Sequence, residues 1–273
     1  QLLARGHRPA ILARGYGRRL RLDGAVVVRD AEAVRAGLDE AGDEPLMLAR
    51  ALPGAVVVVA EDRHLAGALA ERRLGATVHL LDDGFQHLAL ARDVDLLVAD
   101  GADLGARTLP WGPLREPPDA AAAADALLVP AGDAEAEARA RALGAARLFR
   151  FTRAIGAPAT APGWPPLPDG ARRVAALAGI ARPARFFADL GAAGWEVVLE
   201  IAYRDHHRYD ARDLAAVARR AEAAGAACVL TTEKDAVRLL PLGPPPVPIA
   251  WVPLEVGVEP AEEFEAWLLG RLA

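Results

Sequence analysis

Cysteine, lysine and methionine occur once each in this chain of 273 residues, as Cys228, Lys234 and Met47. A single thiol excludes an internal disulfide and any thiolate metal cluster, and it fits a reducing compartment. Met47 lies inside a helical pattern, so the natural start of the protein is expected upstream of Gln1. Positive charge is not in excess either: the formal net charge is −5, which disfavours nucleic acid held by broad phosphate neutralisation. Any anionic ligand must be held locally. No uninterrupted apolar run approaches the roughly 18 residues of a membrane-spanning helix, and no basic and then apolar stretch opens the sequence. Neither a spanning helix nor an export signal is therefore expected. Also missing are the phosphate-binding fingerprints GxGxxG and GxxxxGK[ST]. All but one of the 32 basic residues are arginine, a bias that singles out Lys234.

What is present is a globular composition, 53% hydrophobic and 25% charged, in a chain long enough for one large domain or two modest ones. Strand-like runs at 10–13, 55–60, 77–81, 95–99 and 126–129 alternate with helical patterns such as 45–52 and 63–74. That alternation is the signature of parallel sheets covered on both faces, so the class is α/β. Residues 156–170 hold five prolines and three glycines, too many for an element interior, and are expected to form a linker. A second series follows, with strands at 174–178, 195–203, 227–231 and 249–253 and helices at 183–193, 211–224 and 260–272. The expected division is a core domain over 1–155, a linker over 156–170 and a smaller α/β domain over 171–273. No period of 20–50 residues is present, which excludes a solenoid.

Ligands of open α/β sheets sit at the carboxyl ends of the strands, so polar clusters there are the first candidates. Asp82-Asp83-Gly84-Phe85-Gln86-His87 presents two hard oxygen donors that suit Mg²⁺, although Asp and Gly also make an ordinary turn. Gly42-Asp43-Glu44-Pro45 is good helix-start chemistry, and a carboxylate there becomes a general base if a histidine reaches it. Asp205-His206-His207-Arg208-Tyr209 lacks the third and fourth ligands that zinc requires, and its plainer reading is a polar loop capping the next helix through Asp205 or Asp210. Thr231-Thr232-Glu233-Lys234-Asp235 places the sole lysine between carboxylates, as an ion pair organising a site. The loops Arg14-Gly15-Tyr16-Gly17-Arg18-Arg19 and Gly112-Pro113-Leu114-Arg115-Glu116-Pro117 combine bidentate arginine with backbone freedom, as phosphate contacts need.

With these stretches the chain resembles the tetraacyldisaccharide 4′-kinase family. The resemblance rests on Arg14-Gly-Tyr-Gly, Gly42-Asp-Glu-Pro, Asp82-Asp-Gly-Phe-Gln-His, Leu114-Arg-Glu-Pro, Ala178-Gly-Ile-Ala-Arg-Pro, Asp205-His-His-Arg-Tyr and Thr232-Glu-Lys-Asp. They run in family order along essentially the whole chain. The resemblance implies a P-loop-kinase-like parallel sheet core with a second, smaller α/β domain. It also implies an enzyme dependent on ATP and Mg²⁺, acting on an acylated glucosamine disaccharide lipid at the cytoplasmic face of the bacterial inner membrane, with peripheral membrane contact and no nucleic-acid partner. Carried over by position, it makes Asp43 the catalytic base, oriented by a histidine for which His206 is the choice over His207. Glu44, Asp82 and Asp83 would handle the metal and its water shell. Arg14, Tyr16, Gln86, His87 and Arg115 would contact phosphate or acceptor, and His207, Glu233, Lys234 and Asp235 would organise the site. The family's glycine-rich phosphate loop is expected upstream of Gln1, and losing it is expected to remove most activity, because phosphoryl transfer is mainly positioning and charge stabilisation. Two other readings are a nucleotide- or metal-binding module without catalysis, and a metal-dependent sugar hydrolase using Asp82, Asp83 and His206.

Overall fold

The computed structural model describes residues 1–20 and 22–272. The strands are β1 Pro9–Ala13, β2 Ala25–Arg29, β3 Val56–Ala60, β4 Val78–Leu81, β5 Leu96–Val98 and β6 Ala126–Pro130. Then come β7 Leu148–Ile155, β8 Arg173–Ala178, β9 Glu196–Ala202, β10 Cys228–Thr232, β11 Ile249–Val252 and β12 Leu254–Glu259. The helices are α1 Leu38–Ala41, α2 Asp43–Ala51, α3 Arg63–Leu74, α4 Gly101–Leu104 and α5 Ala134–Ala142. They continue with α6 Pro183–Ala192, α7 Ala211–Ala223, α8 Glu233–Leu239 and α9 Ala261–Arg271.

One compact unit comprises Gln1–Asp82 and Ala154–Leu254, and the other Asp83–Arg153 and Glu255–Ala273. The first unit holds two sheets. In the sheet ordered β2-β3-β1-β4, β1 runs parallel to β3 and β4, and β2 closes the edge antiparallel to β3. Every residue of β1 and of β3, whose sequence is Val-Val-Val-Val-Ala, is buried. A central parallel strand covered on both faces selects for such unbroken β-branched runs. Ala66 and Ala70 of α3 pack on one face, with Leu46 and Ala49 of α2 and Val237 of α8 on the other. Asp62 starts α3 by accepting from the His64 and Leu65 N–H groups at 2.8 and 3.2 Å, and Gly75 at φ 69° ends it. The second sheet, β11-β10-β8-β9, is wholly parallel. Phe186, Phe187 and Leu190 of α6 cover one face, and Leu214, Val217 and Ala221 of α7 cover the other. The second unit carries the sheet β12-β7-β6-β5, against which Phe264 of α9 packs edge-on to Phe149 with centroids 5.1 Å apart.

The expected boundary at 156–170 differs from this division, and the reason is visible in its side chains. Ala161 and Trp164 are buried in the core beneath β8, β10 and β11. Ala159 exchanges backbone hydrogen bonds with Trp251 of β11 at 2.8 and 3.0 Å. A proline-rich segment with a tryptophan at its centre is docked onto the sheet here, rather than spanning solvent. Among the described residues no helix is long and apolar enough to cross a membrane.

Candidate functional site

The carboxyl end of β1 runs into the loop 14–20, and the start of α2 is pressed against that loop. Gly42 takes φ 85°, and a Cβ on it would lie 2.7 Å from the Tyr16 carbonyl oxygen, so only glycine fits. Asp43 is therefore the first residue of α2, with Gly42 as its cap, where the sequence suggested an acidic cap ahead of the helix. The Asp43 side chain is buried: Oδ1 accepts the Glu44 N–H at 3.0 Å, and Oδ2 lies 2.8 Å from Nδ1 of His206 and 3.4 Å from Nε of Arg238.

His206 sits at φ 57°, a left-handed conformation that costs an ordinary residue about 1–2 kcal/mol. Its N–H donates to Asp205 Oδ1 at 2.9 Å, and its ring lies 5.1 Å from the ring of Tyr16, centroid to centroid. Nε2 is 3.5 Å from Lys234 Nζ and 3.7 Å from Asp205 Oδ2. Lys234 donates to Glu44 Oε1 at 2.9 Å and lies 3.6 Å from Asp205 Oδ1. The lysine thus joins α8, α2 and the loop after β9 in one ion-pair network. His207 turns away: its Nε2 lies 2.8 Å from Asp213 Oδ2 and its ring stacks on Tyr203 at 4.3 Å. Of the paired histidines, His206 is the one that meets Asp43.

Beneath this pair lies a buried layer built on Arg238, which the sequence reading missed, and Asp235, which it assigned to organising the site. Arg238 donates from Nη1 to the carbonyls of Gly179 and His207 at 3.0 and 3.1 Å, and from Nε to that of Lys234 at 3.1 Å. Its Nη2 is 3.3 Å from Asp235 Oδ1 but off the hydrogen-bonding direction. Asp235 is fully buried and accepts from the Gly179 N–H at 3.1 Å, the Tyr209 hydroxyl at 2.7 Å and the Thr232 hydroxyl at 2.6 Å. Gly179 has no room for a side chain, since a Cβ would lie 2.9 Å from the Tyr209 oxygen and 3.0 Å from Asp235 Oδ1.

Burial, and then the charge of Asp235, push the Tyr209 phenol well above its ordinary value. With the folded value raised, the proton is held more tightly in the folded state. This contribution is complete below the ordinary phenol value near 10 and is lost as pH rises beyond it. Tyr209→Phe is expected to cost about 1–3 kcal/mol, by leaving Asp235 short of one donor, and to flatten the alkaline loss of stability. Thermal unfolding of both proteins between neutral and strongly alkaline pH checks this, and parallel curves would refute it.

The other predicted residues divide between the two units. Asp82 follows β4; its N–H donates to the Leu12 carbonyl at 3.1 Å, and its own carbonyl accepts Nη2 of the buried Arg63 at 3.2 Å. Asp83, at φ 51°, accepts Arg115 through both oxygens at 2.6 and 3.2 Å, and this pairing raises the guanidinium pKa further. Asp83, Gln86 and Arg115 line a cavity of 290 Å³ in the second unit, whose walls include Phe85, Leu97 and Leu114. The His87 carbonyl accepts Arg92 at 2.7 Å. Arg14 is exposed at the start of its loop, and Glu233 accepts the Leu254 N–H at 3.3 Å. Among the described residues there is no group of three His, Cys, Asp or Glu side chains placed to hold a metal ion. The lone thiol of Cys228 is buried, and burial pushes its pKa up to about 11, so it is inert at neutral pH.

Parallel sheets with a buried carboxylate–imidazole pair at a strand's carboxyl end define an α/β protein of the ligand-binding, doubly covered class. The tetraacyldisaccharide-1-P 4′-kinase family matches residues 1–273. A tetraacyldisaccharide 4′-kinase of Anaeromyxobacter dehalogenans (strain 2CP-C) is 46% identical over 255 residues, covering 88% of this chain and 66% of the relative. One from Syntrophus aciditrophicus (strain SB) is 36% identical over 287 residues, covering 97% of this chain and 75% of the relative. The crystal structure of the "apo" form of LpxK from Aquifex aeolicus in complex with ATP superposes with a TM-score of 0.76 at 28% identity, covering 99% of this chain and 81% of that one. The chain belongs to the tetraacyldisaccharide-1-P 4′-kinase family, and its fold is that of a P-loop-type kinase. It spans 66% of the length of the Anaeromyxobacter relatives it matches.

Proposed function

We propose that the protein takes part in transfer of the ATP γ-phosphoryl group to the 4′-hydroxyl of an acylated glucosamine disaccharide 1-phosphate. The reaction is placed at the cytoplasmic face of the bacterial inner membrane, with the protein bound peripherally. The observation that carries this reading is the 2.8 Å contact between Asp43 and His206, at the carboxyl edge of a parallel sheet in a member of this family. The reading as a module without catalysis is not favoured, because binding alone requires no such pair. A sugar hydrolase using Asp82, Asp83 and His206 is disfavoured because, among the described residues, no three His, Cys, Asp or Glu side chains are grouped to hold its metal.

In this reading Asp43 takes the proton of the acceptor hydroxyl, and His206 fixes the carboxylate and steadies its charge. The Glu44 N–H holds Asp43 Oδ1, while Arg238 lies behind Oδ2, so the carboxylate cannot rotate out of line. Tyr16, Arg14, Gln86, His87 and Arg115 are assigned to the acceptor and its phosphate oxygens. His207, Glu233, Lys234 and Asp235 keep the organising role. Glu44, Asp82 and Asp83 are assigned to magnesium, which supplies charge neutralisation on the transferring group. The donor set of the first unit suits it, since Mg²⁺ uses one or two carboxylates and fills its remaining positions with water and phosphate oxygens. Glu44 and Asp82 carry such carboxylates; Glu44 Oε1 also accepts Lys234, and Asp83 accepts Arg115.

Transfer of labelled phosphate from [γ-³²P]ATP to the disaccharide, by the protein as its gene encodes it, tests the proposal. Label at the 4′ position supports it, and binding of both substrates without transfer refutes it. Asp82→Asn is expected to raise the magnesium concentration needed for half-maximal rate by about tenfold, the size of one lost charge-assisted contact. An unchanged magnesium titration would remove Asp82 from the metal assignment.

A further inference from the structure

Arg18, in the loop that leaves β1, is a buried cation that the Asp43–His206 network does not use. Its side chain is 6% exposed, yet Nη1 is buried with no hydrogen-bond partner. Nη2 lies 3.5 Å from Glu61 Oε1, long for a charge-assisted bond, and the Glu61 side chain is 75% exposed. A pair so long and so well solvated compensates little. A guanidinium carries five N–H donors and cannot shed its proton, so leaving it largely unpaired away from water is unfavourable.

The fold holds the group there deliberately. Gly15 is left-handed at φ 70°, and a Cβ on it would lie 2.3 Å from Val59 Cγ1 of β3, 2.9 Å from the Ala41 carbonyl oxygen and 3.3 Å from Arg18 Cδ. Only glycine lets the loop pack this closely against β3, the end of α1 and the arginine stem. Glu61 directly follows β3, so the guanidinium lies at the carboxyl edge formed by β1 and β3, where parallel sheets bind ligands. The same short loop carries Tyr16, which contacts the His206 ring, and Gly17, where a Cβ would lie 3.6 Å from His206 Nδ1.

We propose that Arg18 binds a phosphate-class oxyanion beside the Asp43–His206 pair. The incoming anion displaces the exposed Glu61 carboxylate and takes Nη2. A shift of the glycine-flanked loop then brings Nη1 onto a second oxygen, in the bidentate geometry that guanidinium and phosphate share. Two phosphates could supply the oxygens, those of the nucleotide or the 1-phosphate of the disaccharide. That choice rests on the kinase reading, whereas the binding of an oxyanion does not.

The test is ligand-dependent thermal stabilisation and calorimetric binding, with inorganic phosphate as the first probe, on the parent protein, Arg18→Met and Glu61→Gln. Methionine keeps an apolar stem and removes the cation. Without phosphate, Arg18→Met should melt no lower than the parent, because it relieves a poorly compensated buried charge, and it should bind phosphate roughly 10–100-fold more weakly. Glu61→Gln should bind phosphate as tightly as the parent or more so, having lost its competitor. A lowered melting temperature or failure to fold in Arg18→Met marks a structural arginine and overturns the proposal, as does undiminished phosphate binding or weakened binding in Glu61→Gln. Repeating the binding with ATP, with the disaccharide 1-phosphate and with its 1-dephosphorylated form identifies the source. A loss for the nucleotide alone points to its phosphates. A loss for the disaccharide only when it carries the 1-phosphate points to the lipid. If the parent binds phosphate but neither larger ligand, the kinase reading fails while the assignment of Arg18 stands.

Discussion

Asp43→Ala is expected to lower kcat by about 10²–10⁴-fold, the usual contribution of a positioned base, measured in the protein as its gene encodes it. Asp43 is 4% exposed and fixed on both oxygens, so it is held in one orientation toward the acceptor. His206→Ala should cost less, since the carboxylate remains. The double variant should be little worse than Asp43→Ala alone, because groups acting as a unit are non-additive. Asp43→Asn serves as the shape-preserving control: it should fall as far in kcat while KM changes little. His207→Ala should cost less than His206→Ala, as its imidazole serves Asp213 instead. Losses that multiply in the Asp43→Ala/His206→Ala variant would show two independent groups and end the dyad assignment.

The fold was legible wherever a long or unbroken apolar run met clear caps. α3 is visible because Asp62 and Gly75 bracket it, and β3 because five consecutive buried residues leave no other reading. β8, β9, β10 and β11 were legible for the same reason. β2, β7 and β12 were not: β2 is a half-buried edge strand, and β12 is largely exposed along its length, so neither carries the continuous pattern of a covered strand. α8 has seven residues and Asp235, Ala236, Val237, Arg238 and Leu239 are all buried, so no polar face exists to set a helical period. Its Thr-Glu-Lys-Asp start reads as a strand-end cluster for that reason. The division into units was hidden by composition, because prolines in 156–170 signal a linker while Trp164 anchors it to a core.

The site was legible as residue types and not as partners. Strand-end position drew attention to Asp43, His206 and Lys234, but nothing in the chain of letters pairs Lys234 with Glu44 or gives His207 to Asp213. Arg238 was out of reach altogether: in a chain whose basic residues are nearly all arginine, one more arginine carries no signal. Its importance comes from burial between two carboxylates, a property of tertiary packing alone.

That burial yields the largest expected effect on stability. Asp235→Ala should cost about 3–5 kcal/mol, because removing one member of a buried pair leaves the other charge uncompensated. Here the loss also orphans the Gly179 N–H and the hydroxyls of Tyr209 and Thr232. At about 2–4 °C of Tm per kcal/mol for chains of 150–250 residues, calorimetry should find a fall of roughly 6–20 °C. Asp235→Asn should cost less, since the amide oxygen still accepts the Gly179 N–H and the tyrosine hydroxyl can turn to accept. Arg238→Met should be comparably destabilising through the opposite imbalance, leaving Asp43 and Asp235 buried without their shared cation. Combined with Asp235→Leu it should fall short of the summed losses, because the second change removes a charge that the first left stranded. The two positions differ in what they do to catalysis. Arg238 lies 3.4 Å from Asp43 Oδ2, so Arg238→Met should also lower kcat at temperatures where the variant is folded. Asp235 instead holds Gly179, Tyr209 and Thr232, and Asp235→Asn should lower Tm with kcat close to the parent value. Equal losses of kcat in both variants, measured well below either melting temperature, would mean that the buried layer acts on the pair as one rigid body rather than through the Arg238 guanidinium.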